Sequence, residues 1–265
     1  MYKRKILHLL KSLALIGVVV CIMGMIAIAA LQLYYQEFYH TATREFKIPG
    51  LEEGFVPQGL DYCEEYDLYL LCGYRYPDEQ AQMYVVRPDG TYRKILMLDE
   101  KEKTFVSHAG GIVHNDKYVY IAGCDGKCYV FAFDDIVKEQ TTQIKMLGYF
   151  QAWNQADYCC VQDGKLYIGE YYHKYKYGTD TSHHYISPIG EEHCAMITAF
   201  SLNEQLPLGV NKIPEMALSV TGRIQGMCFD NNNLILSASS AFEGSQLYVY
   251  DYQKALTDVS EKSQF

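Results

Sequence analysis

Pro57-Gln58-Gly59-Leu60-Asp61-Tyr62 leads into a short turn and the apolar run Tyr66-Asp67-Leu68-Tyr69-Leu70-Leu71. Related phrases return as His108-Ala109-Gly110-Gly111-Ile112, Asn154-Gln155-Ala156-Asp157-Tyr158 and Ile224-Gln225-Gly226-Met227-Cys228-Phe229. Each is again followed by a turn and an apolar run, at 117–122, 165–169 and 233–237. A strand–turn–strand unit recurring at a spacing of about 45 to 70 residues marks a radial β architecture, in which every repeat contributes one sheet.

Outward from these phrases, each repeat extends toward four strands. The first reads 57–62, 67–73, 82–87 and 92–98, with Pro88-Asp89-Gly90 as the last turn. The second reads 108–114, 117–123, 127–133 and 143–150. Its Cys124-Asp125-Gly126-Lys127-Cys128 is a hairpin signal, because Asp-Gly accepts the positive φ of tight hairpin turns. The third has 154–162 and 165–171, then a long insertion at 172–192, then 194–201 and 212–219. The fourth has 224–230, 233–239 and 246–251 and lacks an outer strand. The stretch 42–48 (Ala42 to Ile48) has the length and mixed polarity of the other outer strands. Added to the fourth sheet, it would close a ring and leave no free edge. The expectation is an all-β propeller of four-stranded blades. Four blades are detectable, and a fifth fits only if 134–153 or 172–192 hides one. An unclosed β-sandwich is a less economical account of such regular repeats.

Composition agrees with this reading. The 265 residues suit one large all-β domain or two small ones, and 25 tyrosines favour half-buried pleated surfaces. Residues 1–33 hold Lys3, Arg4, Lys5 and Lys11 and no acid. The rest carries 19 basic against 32 acidic residues, a formal charge of −13. An acidic body excludes nucleic acid as partner, since phosphates require clustered Lys and Arg.

From Ser12 to Leu33 no charged residue interrupts an apolar run. At 1.5 Å per residue such a helix spans a hydrocarbon core of roughly 30 Å. The four basic residues before it place the N-terminus in the cytoplasm and the body outside. Ala27-Ile28-Ala29 offers a signal-peptidase site, so a secreted, cleaved form is the alternative. The expected organisation is 1–33 basic tip and anchor, 34–41 stalk, and 42–265 extracytoplasmic propeller.

The Pro-Gln-Gly opening, the His-x-Gly-Gly second repeat and the Gln-Gly fourth repeat resemble those of uncharacterised secreted or membrane-anchored bacterial β-propellers. The resemblance covers roughly 55–255. It implies the fold and an extracytoplasmic home, and it carries no activity.

Gln58, His108, Gln155 and Gln225 stand at comparable positions near the starts of the innermost strands, which line a propeller's channel. Three amides and an imidazole offer donors and acceptors to a polar ligand, a water cluster or a metal, or they serve only to bond neighbouring strands. Hydrolytic propellers of the lactonase type hold Ca²⁺ at the channel mouth. Ca²⁺ takes six to eight oxygen ligands, mostly carboxylates. An amide-rich mouth favours a binding module over a Ca²⁺-assisted hydrolase or lactonase, which stays the alternative. The insertion brings Tyr171, Tyr172, His173, Tyr175 and Tyr177, then His183, His184 and His193, onto a loop. Such side chains suit stacking against a glycan or peptide, or form a packed lid. Zn²⁺ held by His183, His184 and His193 matches no familiar spacing. Of nine cysteines, Cys124 and Cys128 flank a three-residue loop and are the candidate disulfide. The leading expectation is an extracytoplasmic module binding a small molecule, a glycan or a protein or peptide. A structural role in an envelope assembly is a third reading.

Overall fold

The computed structural model describes residues 2–187, 190–240 and 243–257. It divides into two compact units, Met1–Glu45 and Phe46–Phe265. The first holds α1 (Tyr2–Tyr34) and α2 (Gln36–Thr41). Leu10–Tyr34 is a 25-residue apolar stretch with none of its surface buried, long enough to cross a membrane.

The second unit carries four blade sheets, antiparallel apart from one short parallel pair, and a separate two-stranded hairpin. Blade 1 is β1 (Phe55–Cys63), β2 (Leu68–Arg75), β3 (Gln80–Val86) and β4 (Tyr92–Leu98). Blade 2 begins with β5 (Gly111–His114), β6 (Tyr118–Ala122) and β7 (Lys127–Ala132). After α3 (Phe133–Val137) and β8 (Gln143–Lys145), β9 (Gly148–Gln151) completes it. Blade 3 is β10 (Tyr158–Gln162), β11 (Lys165–Gly169), β14 (Ala195–Ser201) and β15 (Met216–Val220). Between β11 and β14 lies a small hairpin of β12 (Tyr185–Ile186) and β13 (Glu192–His193). Blade 4 is β16 (Ile224–Asp230), β17 (Asn233–Ser240) and β18 (Glu243–Asp251), followed by α4 (Tyr252–Thr257). This is a four-blade propeller arrangement, with two of the repeated phrases lying within the inner strands β1 and β16 and the other two leading into β5 and β10.

Alternation along each strand turns two apolar faces outward from a blade, and each face needs a neighbour. One buried cluster joins blades 1 and 2 through Leu70, Met83, Ile95, Ile121 and Phe131. A second joins blades 2 and 3 through Tyr120, Val130, Ile168 and Phe200. A third joins blades 3 and 4 through Tyr167, Ile197, Leu234 and Leu236.

The inner strands approach so closely that side chains are excluded. A Cβ on Gly59 would lie 2.8 Å from the Ile112 nitrogen, and one on Gly111 would lie 2.7 Å from the Cys159 nitrogen. The fourth copy differs: a Cβ on Gly226 would meet nothing within 4 Å. Leu247 and Val249 on β18, and Leu60 and Tyr62 on β1, are exposed accordingly, Leu60 at 62% and Leu247 at 70%. Blades 1 and 4 are thus separated by a cleft, and the four blades form an arc.

Two expectations about outer strands are corrected. Residues 42–48 form no strand, and among the described residues β18 pairs only with β17. Phe46 and Ile48 instead pack on the free face of blade 1 beside Phe55, Leu71, Tyr84 and Val86, with the Phe46 and Tyr69 rings 4.9 Å apart. That face has no blade against it, so burying two more apolar side chains there outweighs a row of solvent-exposed edge hydrogen bonds. The stretch 143–150 is likewise not one strand. β8 runs parallel to β4 of blade 1 while β9 pairs with β7 of blade 2, the chain swinging across at Gly148 with φ 155°. Together with α3 this accounts for 134–153. The insertion supplies only the β12–β13 hairpin, so neither segment adds a fifth blade among the described residues.

The glycine contrast is directly testable. Gly111→Ala should cost about 1–3 kcal/mol or more through overpacking. Gly226→Ala should stay within about 0.5 kcal/mol of the parent. Thermal melts of the detergent-solubilised chain would read both.

Candidate functional site

Gln58 and Gln225 occupy the same irregularity in blades 1 and 4. The β1–β2 register passes from Pro57↔Gly73 to Gly59↔Cys72, skipping Gln58. The β16–β17 register passes from Ile224↔Ala238 to Gly226↔Ser237, skipping Gln225. A bulge re-aims the side chain of its extra residue. Both glutamines line one cavity of about 400 Å³, which Gly110 and Ile112 of blade 2, Tyr158 and Cys159 of blade 3, and Leu60 and Leu247 of the cleft walls also border. All four blades therefore contribute to one concave site.

His108 and Gln155 are not part of that lining. They stand just before the segments that are, each preceding an alanine of positive φ, Ala109 at 48° and Ala156 at 57°. Ser107 Oγ accepts from the Ala109 amide at 3.1 Å and Asn154 Oδ1 from the Ala156 amide at 2.9 Å, so one turn is built twice with different side chains. The His108 ring stacks on Tyr74 at 4.5 Å, with Nε2 3.5 Å from Glu79.

Two carboxylates dominate the adjoining interior, Asp157 of the third repeated phrase and Glu170, which the repeat pattern did not single out. Asp157 accepts from the Tyr171 amide at 2.7 Å and from the Cys124 thiol; burial pushes its carboxyl up, those hydrogen bonds and His108 opposing. Glu170 is 0% exposed. It accepts from the amides of Met196 at 3.0 Å and Gln155 at 3.3 Å and meets His183 Nδ1 at 2.7 Å. Burial raises its carboxyl as well, against the lowering pull of His183. A lone acidic residue closing a strand is a weak sequence signal, and its full burial is a tertiary fact. Asp61 is engaged elsewhere, with His114 Nδ1 at 2.5 Å between blades 1 and 2.

These carboxylates fasten the insertion. Tyr171 packs edge-on against Tyr177 at 5.6 Å, and Tyr172 against His184 at 5.4 Å. The His173–Tyr177 turn projects outward: Tyr175 is 86% exposed, and Lys176 Nζ lies 4.9 Å over the Tyr177 ring. The three histidines do not converge. His183 turns to Glu170, and His193 lies across the hairpin from Tyr185 with its Nδ1 buried and unpartnered. His184 instead joins Glu192 and Cys194, their ligating atoms within 4.8 Å of one another. Cys124 and Cys128 are free thiols. Cys128 faces Ala122 in the ladder, while Cys124 sits in the turn at φ 60° and turns to Asp157.

No protein-family model matches the chain, and no curated protein sequence matches it. Solved structures similar to it include Sqt1 of Chaetomium thermophilum, bound to the N-terminus of ribosomal protein L10, at 13% identity and TM-score 0.45 over 78% of this chain and 49% of that one. The computationally designed Ika4 protein is 12% identical, with TM-score 0.39 over 80% and 99%. BamB of Moraxella catarrhalis is 9% identical, with TM-score 0.38 over 76% and 51%. The chain spans about half the length of Sqt1 and of BamB. Likeness this remote carries no functional argument.

Asp157 predicts a pH effect. The folded chain holds its proton at a pH where the unfolded chain has released it. The group therefore adds stability in acid, and that contribution is lost as pH rises through the raised value. Asp157→Asn should remove this segment of slope from a plot of melting temperature against pH and relatively stabilise the chain near neutrality. An unchanged slope would show that the carboxyl is not held as described.

Proposed function

We propose that the chain is a membrane-anchored, extracytoplasmic module that binds an extended polypeptide segment in the cleft between blades 1 and 4. The observation that supports this most directly is the cavity bordered by all four blades. Its volume lies within the range of ligand sites, and its lining mixes apolar walls with a few convergent polar groups. Gln58 and Gln225 each offer a carbonyl and an amide, which matches the alternating acceptors and donors of a peptide backbone. Leu60 with Tyr62, and Leu247 with Val249, repeat at the two-residue spacing of side chains along an extended chain. Two carboxamides in the lining, where a Ca²⁺ site needs several carboxylates, favour binding over hydrolysis. The outward orientation rests on Lys3, Arg4, Lys5 and Lys11 preceding the apolar helix.

Peptide and glycan arrays probed with the detergent-solubilised full chain would test the ligand class. A peptide hit should weaken at least about tenfold in the Gln58→Ala/Gln225→Ala double variant, with melting temperature unchanged. Hits confined to glycans, or a peptide bound equally by both chains, would overturn the reading. Orientation has its own check. Exposed Cys228 should react with a membrane-impermeant maleimide on intact cells, and Cys228→Ser should lose the label. Labelling only after lysis would reverse the topology.

A further inference from the structure

We propose that His184, Glu192 and Cys194 form a Zn²⁺ site that clamps the insertion onto blade 3. The backbone register assembles it. In the β12–β13 ladder Tyr185 pairs with His193 and Ile186 with Glu192. The next pair outward is His184 with Cys194, and alternation puts both on the same face as Glu192 and opposite to Tyr185 and His193. Hence three ligands of different chemistry share one face of a two-residue hairpin, their donor atoms within 4.8 Å of one another. Zinc bonds of about 2.0–2.3 Å set tetrahedral ligands roughly 3.3–3.8 Å apart. Cys194 is 5% exposed and fixed at the entry to β14, and its thiol already donates a hydrogen bond to the exposed Glu192.

The surroundings of His184 select the ligating nitrogen. Thr179 Oγ1 lies 3.0 Å from His184 Nε2 and donates its only proton to the Cys194 carbonyl. It must therefore accept from Nε2–H, which leaves the lone pair on Nδ1. An outer hydrogen bond that sets the tautomer is the usual companion of a metal-bound imidazole. The Tyr172 ring, edge-on to the imidazole, restrains its plane. Thiolate, imidazole and carboxylate together suit Zn²⁺, and neither Ca²⁺ nor Mg²⁺, which take oxygen. With three protein ligands, the fourth position is left for water.

The test uses the untagged full-length chain in detergent, equilibrated with ZnCl₂ and dialysed. One zinc per chain is expected by plasma mass spectrometry, and Co²⁺ in its place should give a sulfur-to-metal charge-transfer band. Cys194→Ser should abolish the band, and His184→Ala and Glu192→Gln should each weaken Zn²⁺ binding at least about tenfold. His193→Ala, on the other face, should leave binding unchanged. Substoichiometric zinc, or a band that survives Cys194→Ser, overturns the proposal. Glu192 is exposed, so Glu192→Gln should fold; wild-type affinity in that variant overturns it too.

Discussion

The distance between neighbouring inner strands is the constraint on which the body depends. At Gly59, Gly110 and Gly111 a methyl group would strike the backbone of the next blade, so the repeated phrase is a steric requirement before it is anything else. Once backbones meet that closely at the axis, the sheets fan outward and their facing side chains interlock into three separate cores. The same requirement lapses at Gly226, and there the fan is open. Fold and cleft are consequences of one spacing, met between blades 1 and 2 and between blades 2 and 3 and released at Gly226.

The polar interior is organised around the second consequence of that geometry. Where the strands converge, chain turns leave amides with few partners, and Asp157 and Glu170 collect them. Between them the two carboxylates gather the amides of Tyr171, Met196 and Gln155, the Cys124 thiol and the His183 ring. A buried carboxylate is costly, and these bonds offset part of that cost while burial still raises both carboxyls. The long insertion is therefore fastened to the propeller at its root, while its Tyr175 tip stays in solvent.

Blade count and inner strands were legible because glycine and glutamine recur with an alternating apolar run, a signal local to each repeat. The outer strand of blade 1, Tyr92–Leu98, was legible too, but the two at 42–48 and 143–150 were not. Residues 42–48 carry a strand-like pattern but are drawn to an uncovered face, and 143–150 reads as continuous although Gly148 passes it between two sheets. Of the mouth residues, Gln58 and Gln225 share a cavity because both lie at bulges, a feature hinted at by the Gln-Gly pairs. His108 and Gln155 belong to turns that only resemble those bulges. Tyr185–Ile186 and Glu192–His193 are two-residue strands, too short to stand out within the insertion. Neighbouring residues alternate faces, so the grouping of His184 with Glu192 and Cys194 follows from the pairing register and not from proximity in sequence.

The strap of β8 and β9 gives the arc a direction. Blades 1 and 2 share a core and are also stitched by a chain segment that belongs to both sheets, whereas among the described residues blade 4 shares a core only with blade 3. A closed ring distributes local opening evenly, but a linear stack frays from its ends. Amide hydrogen exchange would then not be uniform around the axis: protection is deepest where blades 1 and 2 are stitched and shallowest in β18. The wall of the cleft that Leu247 lines is thus its compliant one, able to adjust to an occupant while the wall bearing Leu60 stays still.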